Sequence, residues 1–284
     1  MRSTGGLAVL LVAVVSAGCQ AHAQYPLPDV EDANFVADCV RAHNSFRSRV
    51  TPPASNMLLM SWDAALAKTA KAWAEKCKFE HNIYLKTPGK VHPTFTPVGE
   101  NIWTGTASTF SVDEALRDWF NEVRSYDFNT NRCTGMCGHY TQVVWAESYK
   151  VGCAVHFCHT VEGFPGLLGA AHFVCDYGPA GNYPRQPYKA GQPCSACSDE
   201  KCVDKLCGST EHEKLINYGS WYPSWGAQPQ PPRPRPPRPP AEQPGPSCDR
   251  YCLAVTILRP LLVVLSAGAV VLVQQRFPHT FFYE

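Results

Sequence analysis

The chain has 284 residues, of which 45% are hydrophobic and 17% are charged, and its formal net charge is +1. This length leaves one folded domain of moderate size once the two ends and a proline-rich tract are set apart. A nucleic-acid binder needs a clustered basic face, so the near-neutral charge excludes that class of partner.

Residues 1–23 have the three regions of a secretory signal peptide. Arg2 is followed by the apolar run 7–15 and by the small-residue site Ala21-His22-Ala23. We expect cleavage after Ala23. The chain contains 14 cysteines, which in an exported protein predict disulfide bonds because the compartment is oxidising. Cys39 lies alone in the first helical segment and is predicted to be the unpaired thiol.

Two amphipathic helices are predicted in the first third of the chain. In residues 32–50, apolar residues recur at spacings of three and four, which indicates one buried helix face that ends before Pro52. His43 and Arg47 on this helix are interpreted as internal scaffolding that satisfies its own polar groups. The second helix follows Ser61 and has a similar pattern.

The middle of the chain is predicted to be a loop, a strand and a helix. Residues 82–98 contain several prolines and have no sustained period, which indicates a long loop. Residues 99–103 are predicted to form a short strand. A third helix is expected to open at Ser111, where Glu114 completes a capping box, and to end near Tyr126.

The stretch 138–148, GHYTQVVWAES, places His139 between a glycine and an apolar run. Its period does not decide between a helical turn and a strand. A single histidine in such a setting is more often a core residue than a site, unless other residues converge on it. Residues 151–157 and 171–177 alternate like two antiparallel strands. Three helices with such strands predict a layered α+β domain spanning 30–190.

The segment 191–207 is predicted to be a small hinge held by disulfides. Its CxxC spacing is also compatible with zinc or a redox pair, but an exported chain without a thioredoxin-like βαβ context favours disulfides. Its four cysteines crowd a stretch with few hydrophobic residues: Cys194, Cys197, Cys202 and Cys207.

The C-terminal quarter is predicted to tether the domain. Residues 208–252 are interpreted as a proline-rich stalk, in which the tract 226–247 favours the polyproline II conformation and an SH3-ligand role is less favoured. Residues 253–273 are long and apolar enough to cross a bilayer and are followed by a short cytoplasmic tail, 274–284. We expect a single-pass membrane protein of type I orientation with an extracellular domain, or in addition a secreted form.

Four ionisable residues lie at the edges of predicted elements. Neutral imidazole nitrogens and carboxylate oxygens are good zinc ligands, so a cleft shared by the four would form a competent site for zinc or another divalent cation. Their spacing does not show that they meet. The four are His81, Glu100, Glu122 and His139.

The sequence resembles the superfamily of cysteine-rich secretory proteins, antigen 5 and plant pathogenesis-related proteins, and most closely its glioma pathogenesis-related branch. Residues 138–148 match the first family signature at every position. Residues 172–183, HFVCDYGPAGNY, match the second, except that Asp176 stands where asparagine is usual. HNSFR at 43–47 and GENI at 99–102 match the remaining motifs. The resemblance covers about residues 30–207.

The resemblance implies a three-layer α-β-α sandwich with a small antiparallel sheet and an open cleft. The family's two histidines, which bind zinc or another divalent ion in some members, carry over to His81 and His139, and its two cleft glutamates to Glu100 and Glu122. In the hinge it implies the pairs Cys194–Cys202 and Cys197–Cys207. For the domain the expected pairs are Cys77–Cys153, Cys133–Cys137 and Cys158–Cys175.

Three functions are compatible with such a cleft. The favoured interpretation is extracellular recognition of a protein, glycan or lipid ligand, because a stalk raises the domain above the membrane. Binding of a sterol or fatty acid between helices, as in some family members, is the first alternative. A metal-dependent peptidase with Glu100 as base is the second, and the absence of HExxH and of a G-x-S-x-G elbow argues against it.

Overall fold

In the computed structural model, residues 27–198 and 201–227 are described, together with residues 262, 265, 266, 269, 272, 273, 275 and 276. The chain divides into two compact units, Met1–Gln228 and Pro229–Glu284. The predicted signal peptide 1–23 lies outside the described residues, as do the stalk from residue 228 onward and most of the span and tail. Within the described residues, no helix has the length and hydropathy that crossing a bilayer requires.

The first unit contains α-helices, short 3₁₀ turns and β-strands. The 3₁₀ turns are Ala107–Thr109 and Glu122–Ser125. The helices are α1 (Ala33–Arg47), α2 (Ala64–Ala74), α3 (Val112–Asn121) and α4 (Gly138–Val143). The strands are β1 (Ser61–Trp62), β2 (Gly99–Thr106), β3 (Tyr126–Asp127), β4 (Arg132–Cys133), β5 (Lys150–Cys158), β6 (Ala170–Gly178), β7 (Lys201–Val203) and β8 (Leu206–Gly208).

The helix starts follow from side-chain caps. Asp32 accepts hydrogen bonds from the first-turn amides of α1, and Asp63 does the same for α2. Ser111 accepts from the Glu114 amide at the start of α3, as the capping-box pattern predicts. The predicted helices and the loop 82–98 are therefore confirmed. The undecided stretch after residue 138 is helical, and the strand predicted at 99–103 extends to Thr106.

The central sheet has four strands in the order β1-β5-β6-β2. Strand β6 pairs with β5 and with β2 in antiparallel register, whereas β1 pairs with β5 in parallel. This confirms the predicted pairing of 151–157 with 171–177. Strand β2 lies at one edge of the sheet.

Helices cover both faces of this sheet, as strand alternation requires. On one face, the Tyr177 hydroxyl lies 3.0 Å from Nε2 of His43 in α1, and the Phe173 ring stacks on Trp119 of α3. On the other face, a Cβ added at Gly152 would collide with the backbone of α2. Glycine is therefore required there. The result confirms the predicted α+β class and the three-layer α-β-α sandwich.

The disulfides correct two predicted pairs. Cys77 is bonded to Cys158, and Cys153 is bonded to Cys175, so the expected Cys77–Cys153 and Cys158–Cys175 are wrong. Cys153 and Cys158 are five residues apart on β5, so their side chains point to opposite faces of the sheet. Cys158 faces α2, and Cys77 lies just after the end of that helix. Cys153 faces the other way and is directly opposite Cys175 in the register of β5 and β6.

The other cysteines behave as expected. The structure contains the Cys133–Cys137 bridge and the two hinge bridges, Cys194–Cys202 and Cys197–Cys207. Cys39 is buried and is the free cysteine among the described residues. The hinge lies against the domain, because the Cys207 amide donates to the Met57 carbonyl and the Leu59 amide donates to the Cys207 carbonyl.

Residues 209–227, which we call the C-terminal strap, also lie against the domain. The sequence places them in the stalk 208–252, but their aromatic side chains bury apolar area that a solvated stalk would leave exposed. The Tyr218 hydroxyl donates to Asp63 at 2.5 Å, and the Trp225 ring stacks on Tyr84 with centroids 5.3 Å apart. The strap therefore holds α2 and the loop 82–98 together.

Candidate functional site

His81 and Glu100 form the first of two histidine–carboxylate pairs. His81 Nδ1 lies 2.8 Å from Glu100 Oε1, which also accepts the Asn82 amide at 2.9 Å. Glu100 is the second residue of β2, and its side chain is fully buried, whereas that of His81 is 61% exposed. The strand therefore fixes the carboxylate, and the carboxylate orients the exposed imidazole.

His139 and Glu122 form the second pair. His139 Nδ1 lies 2.6 Å from Glu122 Oε1, and Glu122 Oε2 accepts the backbone amides of His139 and Tyr140. Glu122 follows α3 directly, and His139 is the second residue of α4. The Trp119 ring stacks on the imidazole with centroids 6.0 Å apart. Two helices and an aromatic ring therefore hold this histidine.

Both pairs impose the same tautomer. Each carboxylate accepts from Nδ1, so each neutral ring carries its lone pair on Nε2. Neither Nε2 has a hydrogen-bond partner among the described residues. A carboxylate on one nitrogen and an open second nitrogen is the usual arrangement of metal-binding histidines. The chemistry of these side chains therefore fits a divalent cation.

Strand β2 connects the two pairs. Asn101 follows Glu100, and its amide Nδ2 donates to the His139 carbonyl at 3.0 Å and to the Tyr177 hydroxyl at 3.3 Å. The structure thus arranges the four predicted residues as two pairs. Glu100 of the first pair lies in β2, and the next residue of that strand, Asn101, bonds to the backbone of His139 in the second pair.

A cleft of about 690 Å³ opens beside the first pair. Its walls include His81, Glu100 and Lys86, while His139 and Glu122 are not among its lining residues. The rim is partly apolar, because Ile83 is 72% exposed and Tyr183 46% exposed. The cleft is lined by residues 81–83, 85, 86, 97–100, 142 and 180–183.

The two family signatures meet at the floor of this cleft. Gln142 accepts the Gly181 amide on its Oε1 and donates from Nε2 to the Ser148 hydroxyl. Its side chain also occupies the space that a Cβ at Gly99 would need. Glycine at position 99 therefore lets β2 lie directly against the Gln142 side chain.

The electrostatics of the first pair are set by burial and by the short contact. The hydrogen bond with Glu100 raises the pKa of His81 above its ordinary value. Burial raises the pKa of Glu100, and the hydrogen bonds from His81 and Asn82 oppose that rise. The short contact therefore favours the protonated form of His81, which must lose a proton before its Nε2 can bind a cation.

Among the described residues, two groups of three side chains have potential ligand atoms that all lie within 4.8 Å of one another, and neither group contains a residue of the two histidine–glutamate pairs. Both depend on cystine sulfurs, which are not thiolates and so do not bind metal in the manner of free cysteine. They are His43 with Cys153 and Cys175, and His156 with Cys77 and Cys158. The two histidine–glutamate pairs remain the better candidates.

Sequence reasoning missed two groups of buried polar residues. Asp63 accepts from Tyr218 and lies 3.2 Å from His92 Nε2, in a network that joins α2, the loop and the strap. Asp176 is completely buried beside Glu100. The only sequence signal for Asp176 was its departure from the family signature. No pattern in the sequence indicates the network around Asp63, because its members are far apart in the chain.

Comparison with known proteins gives consistent matches. Residues 40–177 match the family model for CAP, the cysteine-rich secretory protein family. The chain is 42% identical to glioma pathogenesis-related protein 1 of Mus musculus, over 96% of each chain, and 48% identical to GLIPR1-like protein 1 of Bos taurus, over 69% of this chain and 80% of that protein. The crystal structure of Na-ASP-1 is similar with a TM-score of 0.50 and 29% identity, over 64% of this chain and 51% of that one.

Proposed function

Because the chain belongs to the cysteine-rich secretory protein family, we propose that it is an extracellular recognition module with a metal-dependent cleft. His81 and His139 are the proposed ligands for zinc or another divalent cation, and Glu100 and Glu122 orient them. The ligand recognised is an extracellular protein, glycan or lipid. No nucleic acid is involved.

One observation carries the metal part of this proposal. Both histidines have Nδ1 engaged by a glutamate, at 2.8 and 2.6 Å, and both have an Nε2 without a partner among the described residues. Carboxylates at Nδ1 make imidazole a better ligand and fix the ring direction. Two nitrogen ligands leave other coordination positions for water or for donor atoms of the recognised molecule.

The glutamates have a narrower role than the sequence suggests. All but one of their oxygens already accept hydrogen bonds from the protein, and the remaining Glu100 Oε2 is buried. They are therefore positioning residues and not ligands. The same contacts speak against a peptidase, because a general base must reach the proton that it removes, and the Glu100 side chain has no exposed surface.

The cleft wall supports recognition of a mixed polar and apolar ligand. Exposed Ile83 and Tyr183 offer apolar contact, and Lys86 offers a cation in the wall of the same cleft. Aromatic and aliphatic anchors with a few polar groups are common at binding surfaces. This combination suits an extracellular ligand with an apolar part and an anionic or carbonyl oxygen near the metal.

Membrane attachment is part of the same proposal. The apolar run 253–273 is about the length that a bilayer needs, and the N-terminal 23 residues have the pattern of an export signal. The proline-rich stalk would then hold the domain away from the surface. Surface labelling of cells, before and after deletion of residues 253–284, tests this arrangement, since the shortened chain should appear in the medium.

Zinc titration calorimetry on the purified full-length chain tests the metal claim. We expect His81→Ala and His139→Ala each to weaken zinc binding by about tenfold or more, because each removes one of two nitrogen ligands. His159→Ala is the matched control, since His159 is exposed and lies outside both pairs. Unchanged binding heats in both ligand variants would remove the metal from the proposal.

A further inference from the structure

A second buried carboxyl group lies next to Glu100. Glu100 on β2 and Asp176 on β6 are directly opposite each other in the antiparallel register, so their side chains are on the same face of the sheet. Opposite residues of this kind have Cβ atoms roughly 4.5–5.5 Å apart. Asp176 has no exposed surface, and neither has the Glu100 side chain.

Helix α2 closes this face against water. Gly152 on β5 is the other neighbour of Asp176, and a Cβ at Gly152 would collide with the backbone at Ala67 and Asp63. The helix therefore lies directly on the sheet beside Asp176. Two negative charges in such a place would lack solvent screening and would repel each other strongly.

The hydrogen bonds of the two groups differ. Glu100 Oε1 accepts from His81 and from the Asn82 amide. Glu100 Oε2 and both oxygens of Asp176 have no partner among the described residues. Since the protein supplies donors only to Glu100, a proton shared by the pair is most stable on Asp176. Burial raises the pKa of Asp176 well above its usual range, and the charge of Glu100 raises it further.

We propose that Asp176 is a positioning residue that holds a proton at neutral pH and directs it as a hydrogen bond toward Oε2 of Glu100. Glu100 then keeps its charge and its orientation, and its Oε1 holds the His81 ring with Nε2 facing the cleft. This inference rests on the proposed metal function for its effect on binding, but the proton on Asp176 is a property of the free protein.

Infrared difference spectroscopy of the purified full-length chain tests the proton directly. At neutral pH, the spectrum of the parent minus that of Asp176→Asn should contain the carbonyl stretch of a protonated carboxylic acid, and the band should shift in D₂O. Other carboxyl groups cancel in the difference. Absence of this band would overturn the proposal, whether or not the protein binds zinc.

Zinc affinity tests the positioning role. Asp176→Asn retains an N–H donor of the same size and should bind zinc about as tightly as the parent. Asp176→Leu has a similar volume but no donor, and should weaken binding by about tenfold, the usual effect of losing a group behind a metal ligand. Rescue by asparagine separates loss of the donor from a general packing defect. Equal affinities for the leucine variant and the parent would overturn the positioning role.

The two proposals fail in different ways. If the parent chain does not bind zinc, the metal function fails and the infrared band alone decides the state of Asp176. If the parent binds zinc but the band is missing, the metal function stands and the protonated Asp176 is rejected. Should the leucine variant fail to fold, the infrared comparison with the asparagine variant still decides.

Discussion

Arg47, at the end of α1, is fully buried and bonded only to backbone carbonyls. Its guanidinium donates to the carbonyls of Leu58, Val143, Trp145, Ala146 and Ser148 at 2.7–3.2 Å. Among the described residues the charge therefore has no carboxylate partner, and carbonyl dipoles stabilise it. These contacts join α1 to the chain that leaves α4, and so fix the end of the helix that carries His139.

Replacing Arg47 with methionine should destabilise the protein strongly. The variant keeps an apolar side chain but leaves several buried carbonyl groups without donors, which we expect to reduce the free energy of unfolding by about 3–5 kcal/mol. Denaturant unfolding measures this loss. The exposed Arg49, changed to methionine in the same way, should alter stability by less than about 0.5 kcal/mol. A small loss of unfolding free energy in the Arg47→Met variant would show that water replaces the guanidinium as the donor to these carbonyl groups.

His43 should make stability depend on pH. Burial, together with the nearby charge of Arg47, lowers its pKa to about 4. The unfolded value is about 6.5, so between these values the unfolded chain binds more protons, and stability falls as the pH falls. The free energy of unfolding therefore has its full value above about pH 6.5, and below that pH it falls by roughly 1.4 kcal/mol per pH unit.

Unfolding by urea at pH 7, 6, 5 and 4 measures this dependence. His43→Gln should reduce the slope by one proton, because the titrating group is removed while a polar side chain is kept. His172, whose pKa burial also lowers to about 4, provides a second variant if the first does not fold. Equal slopes for the parent and both buried-histidine variants would contradict the prediction.

At the scale of elements, the C-terminal strap stabilises the loop that forms one wall of the cleft. Trp225 contacts Tyr84 and Trp73, and its Nε1 donates to the Lys90 carbonyl at 2.8 Å. The loop has no helix or strand from residue 82 to residue 98. Its order therefore depends on side chains supplied from more than a hundred residues further along the chain.

Trp225→Ala should loosen this loop without unfolding the sheet. Loss of the indole contacts is expected to speed amide hydrogen exchange at Leu85 and Val98 by about tenfold, which corresponds to about 1.4 kcal/mol of local stability. Amides in β5 and β6 should exchange as in the parent. Leu215→Ala is the control, since Leu215 lies in the strap but is 76% exposed. Similar exchange in both variants would show that the loop is ordered without Trp225.

At the scale of the whole molecule, the disulfides close loops of very different length. Cys77–Cys158 joins residues 81 apart, whereas Cys133–Cys137 joins residues 4 apart. The first connects α2 to the far end of β5 and so ties a helix layer to the sheet. The two hinge bridges act separately and join residues 194 and 197 to the strands β7 and β8.

Removing the long-range bridge should therefore cost more stability than removing the local one. The chain-entropy estimate is about 4 kcal/mol for the double variant Cys77→Ala/Cys158→Ala and about 2 kcal/mol for Cys133→Ala/Cys137→Ala. Thermal and denaturant unfolding of the two variants under non-reducing conditions compare these losses. An equal or larger loss for the short loop would show that native contacts, and not loop entropy, set the contribution.

The sequence by itself determined the class of the fold and its main helices and strands. The spacing of apolar residues located α1 and α2, the capping box located the start of α3 at Ser111, and alternation located β5 and β6, because each of these patterns is local. The family resemblance also supplied His81, Glu100, Glu122 and His139, of which Glu100 and His139 lie in quoted motifs. The helix at α4 was undecided, because six residues are too few for a period to separate helix from strand.

Tertiary structure alone decided which of these residues touch. It paired each histidine with one glutamate, placed Asp176 against Glu100, joined Cys77 to Cys158 instead of Cys153, and brought the strap onto α2. Strand alternation was visible in the sequence, but the face that α2 covers was not. Contacts between distant residues depend on how whole layers pack, and the pattern of any single segment does not contain that information.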